Sequence, residues 1–446
     1  MSHSQRFHPH HEGSSPHPPG AVPAVTVPER FALSVRALGE AGEAWLAGLP
    51  GLLAALEADW SVTVGTGLEG GNAAYVAEAV TRDGTPAVLK VPVPPGIDGF
   101  TPFERQLAAL QLAGGDPYVG LIRYDVPRQA LLLERLGRPM ASLGWPASRQ
   151  VDALARTAAR GWRPVPDDGR LPSGAEAARW LSGFISSAWE DLARPCPEAV
   201  VDLAVRCAAA REAAFDPSRA VLVHGDVHAF NALQVPGPAG AGAGFRLVDA
   251  EGLISEPAHD LGVILVRGVQ GWIGDLAGGD PQQALEIAAR RCRHAGRLAG
   301  ADPEAVWQWA FAELVSTGLF LLRLGHHEEA KTFLTVAGKL AAATANGQPD
   351  RVRQAPASGQ VDGPARPGAT AAARCLRLLA AAIRIDQNEQ HDRIDRLGGG
   401  RLWLHQRRMR RYGTKPTCRA KMTLRSLTFS VPCASAAGSP PAPGPG

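Results

Sequence analysis

The stretch Val221-Leu-Val-His-Gly-Asp-Val-His-Ala-Phe-Asn-Ala-Leu233, followed by Phe245-Arg-Leu-Val-Asp249, decides how this chain is read. It sets a His-Gly-Asp, an Asn five residues beyond that Asp, and a second Asp at the end of an apolar run. Phosphoryl transfer needs such a set: one carboxylate orients the attacking hydroxyl, and a carboxamide plus another carboxylate hold Mg²⁺ on the nucleotide phosphates. Val221 to Val223 and Phe245 to Val248 read as short buried strands. Gly225 lets the backbone turn sharply after the first of them. An ordinary polar loop explains a lone Asp, but not the ordered trio Asp226, Asn231 and Asp249.

A nucleotide-binding half is then expected upstream. Ser61 to Val80 has β-rich flanks around Gly65, Gly67, Gly70 and Gly71. Without Cβ atoms, such a loop lets backbone N–H groups approach phosphates closely, although glycine-rich hairpin turns are common. Arg82-Asp-Gly-Thr85 predicts a hairpin turn, and Pro86-Ala-Val-Leu-Lys-Val91 returns as a strand. Lys90, bracketed by Val88, Leu89 and Val91, is the candidate for the α/β-phosphate contact. It needs a partner carboxylate, and Glu104 in the helical stretch Pro102 to Leu112 is the candidate. The competing reading of Glu104 is a solvated glutamate favoured by the helix dipole.

HGDVHAFN and LVDAEG, with Glu256-Pro-Ala-His-Asp-Leu-Gly262 after them, resemble the aminoglycoside phosphotransferase family, most closely its streptomycin 6-kinase and hydroxyurea phosphotransferase branch. The resemblance covers roughly residues 43–343. It implies ATP and Mg²⁺ as cofactors, Asp226 as catalytic base, and Asn231 and Asp249 as Mg²⁺ ligands. It implies Asp260 as a buried carboxylate bracing the catalytic loop through backbone N–H groups, with His224 structural and His228 a packing residue. It also suggests residues 134–136, Glu134 to Leu136, as the strand that meets adenine; an ordinary core strand reads the same way. Val227 and Ala229-Phe230 depart from the family's usual Leu and more polar residues, which bears on the substrate.

The 446 residues carry a net charge of +3, unevenly spread. From Asn346 onward 17 Lys and Arg face 6 Asp and Glu, a balance of +11, leaving −8 for the rest. An acidic body suits a cationic hydroxyl-bearing substrate. The basic end could be a nucleic-acid-binding arm, but no aromatic-interleaved surface or known DNA motif accompanies it. No run reaches membrane-span length, and Leu314 to Leu324 suits a buried helix. Cys196, Cys207, Cys292, Cys375, Cys418 and Cys433 lack CxxC spacing, which points to reduced thiols and a cytoplasmic protein.

The expected fold class is α+β: a two-lobed, protein-kinase-like fold with a small β-rich N-lobe and a larger, mostly helical C-lobe. Residues 1–28 are expected to be a disordered leader, 29–137 the nucleotide lobe, 138–345 the catalytic and substrate lobe, and 346–446 a disordered basic extension. Helices are predicted over 41–59, 151–159, 175–193, 197–215, 282–298, 304–324 and 328–343. Trp307, Trp309 and Phe311 are read mainly as core; Glu190, Asp191 and Glu313 are candidates to meet ammonium groups. The expected activity is phosphorylation of a small-molecule hydroxyl, with streptomycin-like aminoglycosides leading. The alternatives are a kinase of hydroxyurea, a sugar or an amino alcohol, and an inactive kinase-like binding protein whose basic tail engages nucleic acid.

Overall fold

In a computed structural model of the chain, residues 26–69, 74–93, 102–237, 244–268 and 273–346 are described. Gly70, Gly71, most of the expected leader and the basic extension lie outside them. Two helices, α1 (Glu29–Arg36) and α2 (Glu40–Trp60), precede the sheet. Leu49, Leu53, Leu56 and Trp60 recur at helical spacing along α2 and are buried, as an amphipathic stripe requires.

The sheet holds β1 (Val62–Gly67), β2 (Ala74–Thr81), β3 (Pro86–Pro92), β4 (Leu121–Asp125) and β5 (Ala130–Glu134), antiparallel in the order β1-β2-β3-β5-β4. The β2–β3 turn falls at the predicted Arg82-Asp-Gly-Thr85: Gly84 has φ +85°, and the Thr85 N–H donates to Thr81 Oγ1 at 3.1 Å. Strand alternation sends Ala130 and Leu132 to the core under α2, while Leu131 and Leu133 face the helix α3 (Pro102–Ala113). Lys90 is the cross-strand partner of Leu131, so it lies on that second face, toward the catalytic loops.

The chain leaves β5 through buried Leu136 and a Gly137 N–H bond of 2.8 Å to the Gln234 carbonyl. Then come α4 (Ala147–Gly161), α5 (Gly174–Asp191), α6 (Glu198–Ala213), β6 (Val221–Val223), β7 (Ala232–Gln234), β8 (Phe245–Leu247) and β9 (Leu253–Ser255). They are followed by α7 (Pro257–Val266), α8 (Gly274–Ala277), α9 (Pro281–Ala299), α10 (Pro303–Arg323) and α11 (His327–Asn346). Ser173 and Glu176 form a reciprocal capping box that starts α5 where the sequence placed it. Pro197 caps α6 from outside rather than occupying its first turn. Small β4, β7 and β9, and α1, were not predicted; strands this short carry little periodicity, and β6 and β8 were read from the apolar runs that flank the Asp226 loop.

α10 is the centre of the helical lobe, packed against α5, α6, α7, α9 and α11. It is long and apolar enough to cross a membrane, contrary to the expectation that no run is, but 78% of its most apolar window is buried among these helices. Trp309 and Phe311 are core residues, and Trp307 packs partly buried against the same core. A Cβ on Gly262 of α7 would meet Trp309 Cβ at 2.6 Å, so this glycine permits the α7–α10 approach. Cys196, Cys207 and Cys292 are buried free thiols, and burial raises them to about 11, 12 and 12.

His259 of α7 stacks on Trp309 with ring centroids 4.0 Å apart and its Nδ1 3.3 Å from Ser255 Oγ. Burial, aided by Arg267 and opposed by Asp260, lowers its pKa from 6.5 to about 4. A neutral buried imidazole stabilises the fold fully above pH 6.5, because neither state then binds the proton. As pH falls from 6.5 toward 4 the unfolded chain protonates first, and stability is lost by at most about 3 kcal/mol. Urea unfolding at pH 7.5 and 4.5 should show this slope, and His259→Gln should flatten it; an unchanged slope in the variant would refute the assignment.

Candidate active site

The Asp226 loop is built by the two short hairpin-like pairs. β6 pairs with β9 and β7 with β8, so both ends of the loop are anchored to the strands that carry the Asp249 segment. Val248 N–H donates to the Asn231 carbonyl at 2.9 Å, and Glu251 N–H to the His224 carbonyl at 3.0 Å. These bonds draw the Asn231 backbone to within one residue of Asp249. Gly225 has φ +84°, and a Cβ there would meet Leu253 Cδ1 at 2.6 Å, so the turn needs glycine on both counts.

Asp260, 1% exposed, accepts from the His224 N–H at 3.1 Å, the Gly225 N–H at 2.8 Å and Trp162 Nε1 at 2.9 Å. His224 is fully buried with its Nδ1 3.2 Å from the Asp226 N–H, which makes Nδ1 the acceptor. Nε2 therefore carries the proton and donates to the Val248 carbonyl at 3.0 Å. Burial lowers the His224 pKa against the pull of Asp260 and Asp226, consistent with this neutral form.

Asp226 is gripped through both carboxylate oxygens. Asn231 Nδ2 donates to Oδ2 at 3.2 Å and His228 Nε2 lies 3.4 Å from it. On the other side Arg267 Nη1 is 3.2 Å from Oδ1, an ion pair without hydrogen-bond alignment, so Oδ1 accepts no hydrogen bond. Burial opposes the charge of Asp226, but His228 and Arg267 hold it well below the usual carboxylate range. His228, expected only to pack, thus stands against the central carboxylate.

Lys90 Nζ lies 2.6 Å from Asp249 Oδ1. Its expected partner Glu104 is not there: Glu104 is exposed in the first turn of α3, where the helix dipole favours it. A polar α3 residue that is buried is Gln106, whose side chain helps to lower the Asp249 pKa. Asp249 adopts φ +61°, a left-handed conformation that Asp tolerates better than most side chains. Its side chain is 54% exposed; the protein packed around it and Asp226 favour the neutral form, but Lys90 and Gln106 outweigh them and its pKa is lowered.

Two further expectations meet different surroundings. A Cβ on Gly67 would lie 2.4 Å from the Thr26 carbonyl and 2.8 Å from Pro28 Cδ, so its bareness admits the N-terminal segment rather than an open phosphate seat. The Glu134 N–H donates to the Gly120 carbonyl at 2.9 Å, and its carboxylate accepts from the Gly120 N–H at 2.6 Å and pairs with Arg246. Glu134 is therefore committed to joining β5 to the loop before β4 and to β8. Glu190 and Asp191 form surface ion pairs with Arg194 and Arg323.

Sequence reading missed Arg267 and Glu251, and left Glu313 open. Glu313 Oε2 is 3.7 Å from Arg267 Nη2. Burial raises the pKa of Glu251 and of Glu313, with Asp226 adding to both and Arg267 opposing. The signal for Arg267 was available: it lies seven residues after Asp260, at the residue that caps the end of α7, close to the same helical face. Among the described residues no His, Cys, Asp and Glu cluster suits a metal by itself. Asn231 and Asp249 do carry hard oxygen donors, Asp249 beside Lys90, a donor chemistry that fits a Mg²⁺ completed by phosphate and water oxygens.

Residues 59–325 match the family described as aminoglycoside/hydroxyurea antibiotic resistance kinase. The chain is 30% identical over 320 residues to a streptomycin 6-kinase of Streptomyces griseus, covering 71% of this chain and 97% of that one. It is 32% identical over 269 residues to a hydroxyurea phosphotransferase of Kitasatospora aureofaciens, 58% of this chain and 74% of the relative. A solved macrolide 2′-phosphotransferase from Brachybacterium faecium is 16% identical with a TM-score of 0.40, covering 67% of this chain and 99% of that one. With a β-rich lobe set on a helical one and the Asp226, Asn231 and Asp249 segments stitched together between strands, the chain is a phosphotransfer enzyme and belongs to the aminoglycoside/hydroxyurea antibiotic resistance kinase family.

Proposed function

We propose that this protein uses Mg-ATP to phosphorylate a hydroxyl of a small cationic molecule, a streptomycin-like aminoglycoside being the leading substrate. The observation that carries the reading is the Asp226 carboxylate, held on Oδ2 by Asn231 and left without a hydrogen bond on Oδ1. The acceptor hydroxyl would donate to the Asp226 carboxylate, whose Oδ1 is buried beside Arg267 yet accepts no hydrogen bond, and Asp226 would take its proton as the oxygen attacks the γ-phosphorus, the bond to the β-phosphate oxygen breaks and ADP leaves. Asn231 and Asp249 would hold the magnesium, which supplies neutralisation of phosphate charge. Lys90, now on Asp249, would shift its ammonium onto phosphate oxygens. Asp260 keeps Gly225 and hence Asp226 in line.

Glu251 and Glu313 add negative charge beside Asp226, balanced in part by Arg267 and Arg105. That surplus favours an ammonium- or guanidinium-bearing acceptor over neutral hydroxyurea, which the Kitasatospora relative's name specifies. The test is ATP consumption with streptomycin, other aminoglycosides, hydroxyurea and amino alcohols, with the phosphorylated position read by ³¹P and ¹H NMR. Phosphorylation of a cationic acceptor with kcat/KM well above that of the neutral ones is expected. Preference for hydroxyurea would overturn the substrate assignment, and no transfer to any acceptor would overturn the reaction.

A further inference from the structure

We infer that Arg267, held in place by Glu313, is a positioning residue that sets the orientation of the Asp226 carboxylate; the inference rests on the phosphotransfer reading above. Helix α7 supports the catalytic loop from one end of its length to the other. Near its start Asp260 takes the His224 and Gly225 N–H groups. Just past its end the Gly268 carbonyl accepts from the Ala229 N–H at 2.9 Å. Two turns beyond Asp260, on the same face, Arg267 reaches Asp226 Oδ1 at 3.2 Å. The backbone on both sides of Asp226 and its side chain are thus all referred to a single rigid helix.

A long guanidinium arm positions nothing unless it is itself fixed. Glu313 does this from α10, at 3.7 Å, and Arg267 is only 17% exposed. The bare Gly262 lets α7 lie against Trp309, and Glu313 is one turn further along α10 from that tryptophan, which brings its carboxylate to Arg267. Asn231 and His228 hold Oδ2 while Arg267 faces Oδ1, so the carboxylate plane is defined from both edges. Without Arg267 the carboxylate could rotate about its terminal torsion, a broad and soft one.

The test compares Arg267→Ala, Arg267→Lys and Glu313→Gln with the parent enzyme, using the acceptor found active in the panel. Arg267→Ala should lower kcat about 100-fold, the cost of a reacting group displaced by about an ångström, while the KM for ATP stays within about threefold. Arg267→Lys should recover part of the loss, and millimolar guanidinium should restore activity to Arg267→Ala. Glu313→Gln should have a smaller effect and add little when combined with Arg267→Ala, since both act through one contact. Thermal melts of each variant establish how much protein is folded, and rates are taken per folded enzyme. Full activity in folded Arg267→Ala, or a lower KM for a cationic acceptor, would overturn the inference alone, the latter by making Arg267 an occupant of the acceptor's seat. Loss of stability with unchanged kcat, or no rescue by lysine or guanidinium, would also overturn it. A parent enzyme inactive with every acceptor would overturn the phosphotransfer reading as well.

Discussion

Asp226→Ala is expected to lower turnover by about 10³-fold, within the range that a positioned general base contributes. The nucleotide should still bind with affinity changed by no more than a few-fold, because Lys90, Asn231 and Asp249 remain in place. Asp226→Asn is the sharper variant, since it retains the shape of the side chain and a partner for Asn231 while giving up the proton acceptor. The two together separate chemistry from architecture: both should be inactive, and both should melt near the parent. Steady-state rates with the active acceptor, and calorimetric titration with a nonhydrolysable ATP analogue, supply the two readouts. Near-native turnover in either variant would remove Asp226 from the mechanism, whatever the family resemblance implies.

Asp260→Ala should have the largest effect on stability. The carboxylate is 1% exposed and accepts from two backbone N–H groups and an indole. Each donor left buried without a partner costs about 1–3 kcal/mol, so a total on the order of 3–9 kcal/mol is expected for the three, a large part of a typical domain's stability. The loss reaches function as well. Gly225 at φ +84° is held from outside by Asp260, and the Asp226 N–H bond to His224 depends on the same turn. Asp260→Asn keeps one acceptor oxygen and should fall between the two. Urea unfolding at pH 7.5 measures the effect, and a change below about 1 kcal/mol in Asp260→Ala would contradict the bracing role.

Much of the helical lobe was legible from the residues because long amphipathic helices repeat their signal over several turns. Residues 282–298 and 304–324 were read as helices and are observed at Pro281–Ala299 and Pro303–Arg323. The β2–β3 turn was legible for a different reason: Asp-Gly in a short polar gap between two apolar strands leaves few conformations open. The family was readable from the resemblance of HGDVHAFN, LVDAEG and the Glu256-Pro-Ala-His-Asp-Leu stretch to known motifs, and the match over residues 59–325 bears it out. Glycine counting at the upstream loop was less informative. Gly67 is bare because Thr26 and Pro28 pack over it, and a glycine pattern alone does not distinguish a close protein neighbour from a close phosphate.

The amino-acid sequence alone offered Asp226, Asn231 and Asp249 as a candidate set, because their spacing in and after short apolar runs puts them on neighbouring loops. The kinase-like class and the candidacy of Asp260 came from the resemblance of the motifs to a known family rather than from spacing. Only the tertiary structure decided which charges meet. Lys90 pairs with Asp249, 159 residues away, rather than with the nearer Glu104. Arg267 and Glu313 come to Asp226 because α7 and α10 pack closely at Gly262. Such pairings depend on how separately formed helices and strands approach one another, and Coulomb attraction acts on distance in space, to which separation along the chain is no guide.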